Sequence, residues 1–267
     1  MRKKTIQLPI IFLLPLLALL LLAIGTRAQK ADTILIDATN VNTKVLKEGV
    51  HRYLVYFKMG KDTNRSNTQF WTRMIERSPY NSKDAIVVTQ IWEDKDTVVH
   101  KVKSICDARS FQPLYHESWW KQRGSGTYDF LSKSAVFNNQ SLSDADTAKT
   151  RKNAWTAFKD SWDQYVLNWH LDLEVFPILP YKKGVTFLVP FYDPGFSAPK
   201  NVAYTVIGSD MLQGYDDQKI DCWLLRHEEK GNIEVFWISK KTREVLKLEQ
   251  EVNGKLYRYK IKLGFSV

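Results

Sequence analysis

The sequence predicts an α+β domain, mainly antiparallel β, in which one dry sheet face is covered by an aromatic-rich helix. Three observations carry this. An Asn253-Gly254 pair stands between two alternating apolar–polar runs, the strongest short hairpin signal. Turn residues recur about every ten residues through the first half, the spacing of an antiparallel meander. A single aromatic stripe at three- and four-residue spacing lies between Asp146 and Phe176, as on a helix with one buried face.

The hairpin sets the frame. Leu246, Leu248 and Val252 alternate with charged residues before the turn, and Tyr257, Tyr259, Ile261 and Leu263 after it. A two-residue loop places Leu248 opposite Tyr259, Leu246 opposite Ile261, and Gln250 opposite Tyr257, all on one face. Glu249 then meets Arg258 on the other. A slip of one residue would exchange the faces. Ile233 to Ser239 and Ile220 to His227 read as two further strands, turned near Lys230-Gly231-Asn232 and at Lys240 to Thr242. The resulting four-strand meander has one wet and one dry face, and the dry face needs a cover.

At the start of the chain, Met1 to Ala28 has the pattern of a secretory signal. Arg2, Lys3 and Lys4 precede an apolar run from Ile10 to Ile24, and Thr26-Arg27-Ala28 offers small residues for cleavage. An uncleaved anchor is the alternative, although the run is short against a span of ~20 residues. The whole chain carries a net charge of +10, and removing the signal's four basic residues leaves +6. That charge is spread along the chain. It suits solubility or contact with an anionic membrane surface, and lacks the dense basic stripe of a nucleic-acid binder. Residues 29–267 contain no Pro/Gly/Ser-rich linker and read as a single β-rich domain.

Val50 to Lys58 reads as a strand with His51, Tyr53, Val55 and Phe57 on one face. Phe70 to Ile75, Ala85 to Trp92, Thr97 to Cys106, Leu114 to Trp120 and Thr127 to Leu131 continue the meander, with Glu93 to Asp96 as a hairpin connection. Arg109 to Glu117 echoes Lys241 to Glu249 in residue type, as two hairpins under the same steric demands would. The helix has N-cap choices in Ser143, Asp144 and Asp146 and stops at Pro177 and Pro180. Val185 to Phe191, with Pro190 marking an edge or an end, and Val202 to Ile207 return to strand. Met211 to Lys219 reads as a loop.

Catalytic equipment is missing from the sequence. Five histidines (51, 100, 116, 170 and 227) are far apart and lack metalloprotease spacing. His100 shares a strand face with Val98 and Val102, as a core or rim histidine would. Gly124-Ser125-Gly126 is too short for a nucleophile elbow and reads as a turn. No phosphate loop, dinucleotide fingerprint or paired-carboxylate motif occurs. Asp216, Asp217 and Asp221 suit a solvated loop better than a calcium site. Cys106 and Cys222 are the two cysteines. An exported chain permits one disulfide between them, whereas Cys106's strand face suits a small buried hydrophobe. The expectation is a non-enzyme with no cofactor, no metal and no nucleic-acid partner.

Asp221-Cys222-Trp223, Phe236-Trp237-Ile238-Ser239, Thr242, Val245 to Glu249, Gly254 and Tyr257 resemble the C-terminal half of a group of exported bacterial proteins of unknown function. That group is similar in fold to the lipoprotein carriers LolA and LolB. Asp107 to Leu114 and the helix end from Leu171 to Pro180 fit it too, so the resemblance covers most of Val50 to Leu263. It implies a strongly curved antiparallel half-barrel wrapped around helices. It does not imply lipoprotein carriage, because one fold serves several functions, and no catalytic residue carries over.

Two readings follow. In the first, a periplasmic or secreted protein binds a lipid or other apolar ligand between sheet and helix. The lining is then Trp155, Phe158, Trp162, Tyr165 and Trp169 from the helix, with Leu246, Leu248, Tyr259 and Ile261 from the sheet. In the second, an envelope protein acts through its surface on another envelope protein or on an anionic membrane. An apolar cavity of ~300 Å³ or more separates the two.

Overall fold

The computed structural model describes residues 32–60, 64–214 and 217–266. The expected signal segment, its cleavage position and Asp216 lie outside the described residues. Everything below belongs to the unit Asp32–Val267.

A short strand β1 (Thr33–Leu35) precedes a first meander: β2 (Gly49–Met59), β3 (Ser66–Tyr80), β4 (Lys83–Asp94), β5 (Thr97–Asp107), β6 (Pro113–Trp120), β7 (Gly124–Asp129), β8 (Ser134–Phe137) and β9 (Gln140–Ser141). Helix α1 (Lys149–Asp160), strand β10 (Leu167–Asn168) and the short helix α2 (Asp172–Val175) follow, with 3-10 turns on both sides of α2. A second meander closes the chain: β11 (Thr186–Asp193), β12 (Ser197–Gln213), β13 (Lys219–Glu229), β14 (Asn232–Ser239), β15 (Val245–Val252) and β16 (Leu256–Ser266). Among the described residues these sixteen strands form one open sheet. The two meanders are joined by antiparallel pairing of β16 with β2, while β1 and β10 add to β11 in parallel. The expected curved half-barrel of mainly antiparallel β is thus borne out.

The segment from Tyr165 to Leu179 fills the concave side as a plug. Leu167, Leu171, Leu173, Val175, Phe176, Ile178 and Leu179 are all buried in the main core. This corrects the expected helix from Asp146 to Phe176, since α1 ends at Asp160. Ser161 Oγ donates to the Phe158 carbonyl at 2.6 Å, and the Ser161 and Trp162 amides close tight turns on Phe158 and Lys159. Such local competition ends helices. Leu167 and Asn168 then pair with Phe191 and Tyr192, and Asn168 Oδ1 caps the next turn by accepting from the His170 amide at 2.9 Å. Helix α1 touches β8 and β12, strands near opposite ends of the open sheet, and so bridges its opening.

The last hairpin has the expected turn residues in the wrong register. Asn253 and Gly254 both adopt positive φ, at 52° and 64°. The loop holds a third residue, however, and Val252 pairs with Leu256. Its neighbours select the longer loop. The Asn253 amide donates to the Gly231 carbonyl at 2.7 Å, and the Lys255 carbonyl accepts from the Gly60 amide at 2.6 Å. Leu248 therefore faces Lys260, and Tyr259 faces Glu249. The slip turns Arg258, Lys260 and Lys262 to the concave side. Tyr257, Tyr259 and Ile261 go to the convex side, where Tyr259 stacks on Tyr56.

Smaller corrections concern boundaries. Gly124-Ser125-Gly126 opens β7 instead of forming a turn. Strand β12 runs on to Gln213, so the expected loop from Met211 is shorter. Pro190 lies inside β11, between the residues that pair with β1 and those that pair with β10, where its missing N–H removes no ladder bond to either. The echo between Arg109–Glu117 and Lys241–Glu249 is geometric. In one loop the Asp107 amide donates to Gln112 and the Phe111 amide to Asp107. In the other, Ser239 donates to Glu244 and Arg243 to Ser239. Phe111 and Arg243 share a positive φ, 58° and 65°.

Candidate functional site

Alternation along the first meander places Tyr53, Trp71, Trp92, His100 and Trp120 on the concave face. Cross-strand register then sets them side by side on β2 to β6. The Trp71 and Trp92 rings stack at 3.7 Å with an 8° tilt. His100 stacks on Trp120 at 3.5 Å and meets Trp92 edge-on. The indoles are fixed from their own strands. Trp71 Nε1 donates to Gln69 Oε1 at 2.9 Å and Trp92 Nε1 to Gln90 Oε1 at 3.2 Å.

Charges are also buried here. Arg73 is fully buried, and its Nε and Nη2 donate to Glu174 at 2.8 and 2.5 Å. Nη2 also reaches the His170 carbonyl at 2.8 Å, as does Gln90 Nε2. Burial opposes the Arg73 charge, but Glu174 and Asp172 hold the guanidinium above its usual range. Lys260 Nζ donates to Asp172 Oδ2 at 2.5 Å and lies 4.8 Å over the Trp71 ring. Burial works against the Asp172 carboxylate, yet Lys260 and Arg73 keep it below the ordinary range. The plug is thereby locked to the sheet through directional bonds to His170, Asp172 and Glu174.

Three histidines that are distant in sequence come together. His116 and His170 lie 4.8 Å apart by ring centroids, and His100 and His170 5.6 Å. His170 Nε2 is 3.2 Å from Asp193 Oδ1. His116 Nδ1 lies 2.9 Å from both Asn168 Nδ2 and Ser104 Oγ. Burial and the neighbouring His170 push His100 down to about 3 and His116 well below its ordinary value. Among the described residues, no group of three or more His, Cys, Asp or Glu side chains could hold a metal ion. Cys106 and Cys222 are both buried and free.

Above this floor a pocket of about 670 Å³ opens between the two meanders. The first meander contributes Trp71, Trp92 and Trp120, the plug Trp169 and His170. From the second come Tyr204, Phe236, Arg258 and Lys260. Among the described residues, no Ser, Thr or Cys side chain lines it.

Of the nine residues expected to line a ligand site, Trp169 is on this pocket. Tyr165 packs on the main core and donates to the Ser110 carbonyl at 2.7 Å. Trp155, Phe158 and Trp162 form a separate small core with Tyr128 and Tyr192. Leu248 is buried in the main core, Leu246 sits half-buried at a register shift of β15, and Tyr259 and Ile261 face outward. The helix stripe was split when α1 ended early, and the strand residues moved with the register. Three residues that do line the pocket, Gln69, Trp71 and Trp92, had a sequence signal. Gln69-Phe70-Trp71 and Gln90-Ile91-Trp92 repeat one Gln-x-Trp spacing, which puts both side chains on the same strand face.

Fold and pocket together define an open antiparallel half-barrel whose plugged concave face carries a large mixed-character cavity. A family model described as "Protein of unknown function (DUF3108)" matches residues 52–262, and the chain belongs to that family. Membership in a family of unknown function is as the residue pattern implied. No curated protein matches the chain. Among solved structures it is similar to a DUF1329 family protein from Desulfovibrio piger, at 10% identity and a TM-score of 0.32, over 83% of this chain and 87% of that one. No helix of the described residues is long and apolar enough to cross a membrane.

Proposed function

We propose that this chain is a non-catalytic binding protein of the periplasm or the exterior, exported by residues 1–28, whose concave pocket holds a lipid or another ligand with an apolar body. The single observation that carries this reading is the 670 Å³ cavity over the aromatic row, since a cavity above ~300 Å³ with convergent polar groups is a binding site by default. The site differs from a purely apolar acyl slot. Indole faces supply flat apolar surface, and Arg258, Lys260 and Asp193 stand around it. The ligand therefore has both an apolar part and a polar part.

Titration with the fluorescent dye 1-anilinonaphthalene-8-sulfonate tests this. The folded protein is expected to bind one dye saturably. Trp92→Ala should weaken binding at least tenfold, whereas Trp162→Ala, in the separate core, should leave it unchanged. Absence of saturable binding, or equal effects of the two variants, would remove the support and favour a protein that acts through its surface.

A further inference from the structure

We propose that the ligand is a single-chain zwitterionic amphiphile, its head in the large pocket and its tail in a second, apolar cavity behind Phe196. This rests on the binding reading above and deepens it.

The second cavity has a volume of about 310 Å³ and is walled by Tyr128, Phe137, Pro194 and Phe196. It shares Trp120, Arg123 and Phe196 with the large pocket, so the two spaces are divided by these side chains. Phe196 is the most exposed hydrophobic residue of the division. It is 44% exposed and sits in the β11–β12 turn beside Gly195, whose φ is 82°. The Arg123 guanidinium lies 5.0 Å over its ring, with the aliphatic stem and the charge on hand for either side of the wall.

The cavity exists because of a missing side chain. Gly126 occupies an inward position opposite Ser118 and Phe137. Its φ is not in the positive range, so the backbone there does not demand glycine. A Cβ would lie 3.3 Å from the Tyr128 ring. Any larger residue at this point would fill the space that Gly126 leaves open.

Charge balance selects the head. Four cationic and four acidic side chains line the large pocket. Lys260 pairs with Asp172 at 2.5 Å and Arg258 with Glu234 at 3.5 Å. Lys121, Arg123, Asp94 and Asp193 complete the charged lining. A head of one sign meets as much repulsion as attraction in such a lining, whereas a head with both signs is matched.

Calorimetric titration of the mature chain with dodecylphosphocholine, below its micelle-forming concentration, tests the proposal. One molecule should bind. Gly126→Leu should weaken it at least tenfold and leave the naphthalene dye unaffected. Thr150→Trp provides a second obstruction from an exposed position in the first turn of α1 that borders the same cavity, and should weaken it likewise. If both variants bind dodecylphosphocholine as the wild type does, the tail site is overturned while the pocket reading stands. Tighter binding of dodecyl sulfate or dodecyltrimethylammonium would overturn the zwitterionic head. Loss of dye binding in wild type would instead strike the underlying reading.

Discussion

On the concave side, β2 to β6 present His51, Tyr53, Arg73, Gln90, His100 and His116, whereas β11 to β15 present Val189, Val206, Leu225, Phe236 and Leu248. Both rows are buried and both pack on the same plug. The first holds the plug by hydrogen bonds and ion pairs to named atoms of His170, Asp172 and Glu174. The second row holds it by apolar contact, as where Phe176 meets Phe236 at 4.5 Å and Tyr204 at 4.8 Å, and its meander adds two polar ties, Lys260 to Asp172 and Arg243 to the Pro177 carbonyl. Directional bonds fix the plug's orientation, and apolar contacts supply most of the burial. The pocket lies where the two chemistries meet, so its lining has two kinds of surface.

The largest effect should expose this contrast. Arg73→Met leaves Glu174 buried without its partner and should cost about 3–5 kcal/mol. Adding Glu174→Leu should restore most of that loss, because an apolar pair of similar volume replaces a buried ion pair at little cost. Phe236→Ala in the other half should cost a similar ~3–5 kcal/mol through its cavity, with no charge change able to rescue it. Denaturation midpoints of the three variants check this. A double variant no more stable than Arg73→Met would show that the two halves hold the plug by the same means.

A smaller effect comes from pH. Burial, with Lys262 nearby, holds His51 down at about 4, and His100 stands at about 3. Both are depressed below the unfolded value near 6.5. The unfolded chain therefore binds more protons, and stability is lost as pH falls from about 6.5 towards these folded-state values. Each such histidine contributes a slope of up to about 1.4 kcal/mol per pH unit in that window. His100→Gln should reduce the slope between pH 6.5 and 4 by about that amount, read from denaturation at stepped pH. An unchanged slope would mean that His100 protonates without strain in the folded state.

The strand pattern was legible in the sequence because alternation and turn residues are local. Of His51, Tyr53, Val55 and Phe57, which alternation puts on one face, the first three are buried, whereas Phe57 lies past the register shift after Val55 and is half-buried. The register of β16 was not legible. Asn253-Gly254 fits a two-residue loop by itself, and the third residue is imposed by Gly60 and Gly231 in neighbouring turns. That single step turned three cations inward. The helix failed for a similar reason, since the apolar spacing continues past Asp160 while Ser161 and Asn168 redirect the backbone. The histidine cluster joins β5, β6 and the plug, and no local spacing encodes such a meeting.

The most direct test of the concave site uses eight of the nine tryptophans as reporters, through the indole N–H signals of the nitrogen-15-labelled chain. On addition of dodecylphosphocholine, the signals of Trp71, Trp92, Trp120 and Trp169 should shift and saturate together. Those of Trp155, Trp162, Trp223 and Trp237, which lie off the pocket, should stay in place. Shifts confined to Trp155 and Trp162 would move the site to the small helix core, and the absence of any saturable shift would contradict the concave binding site.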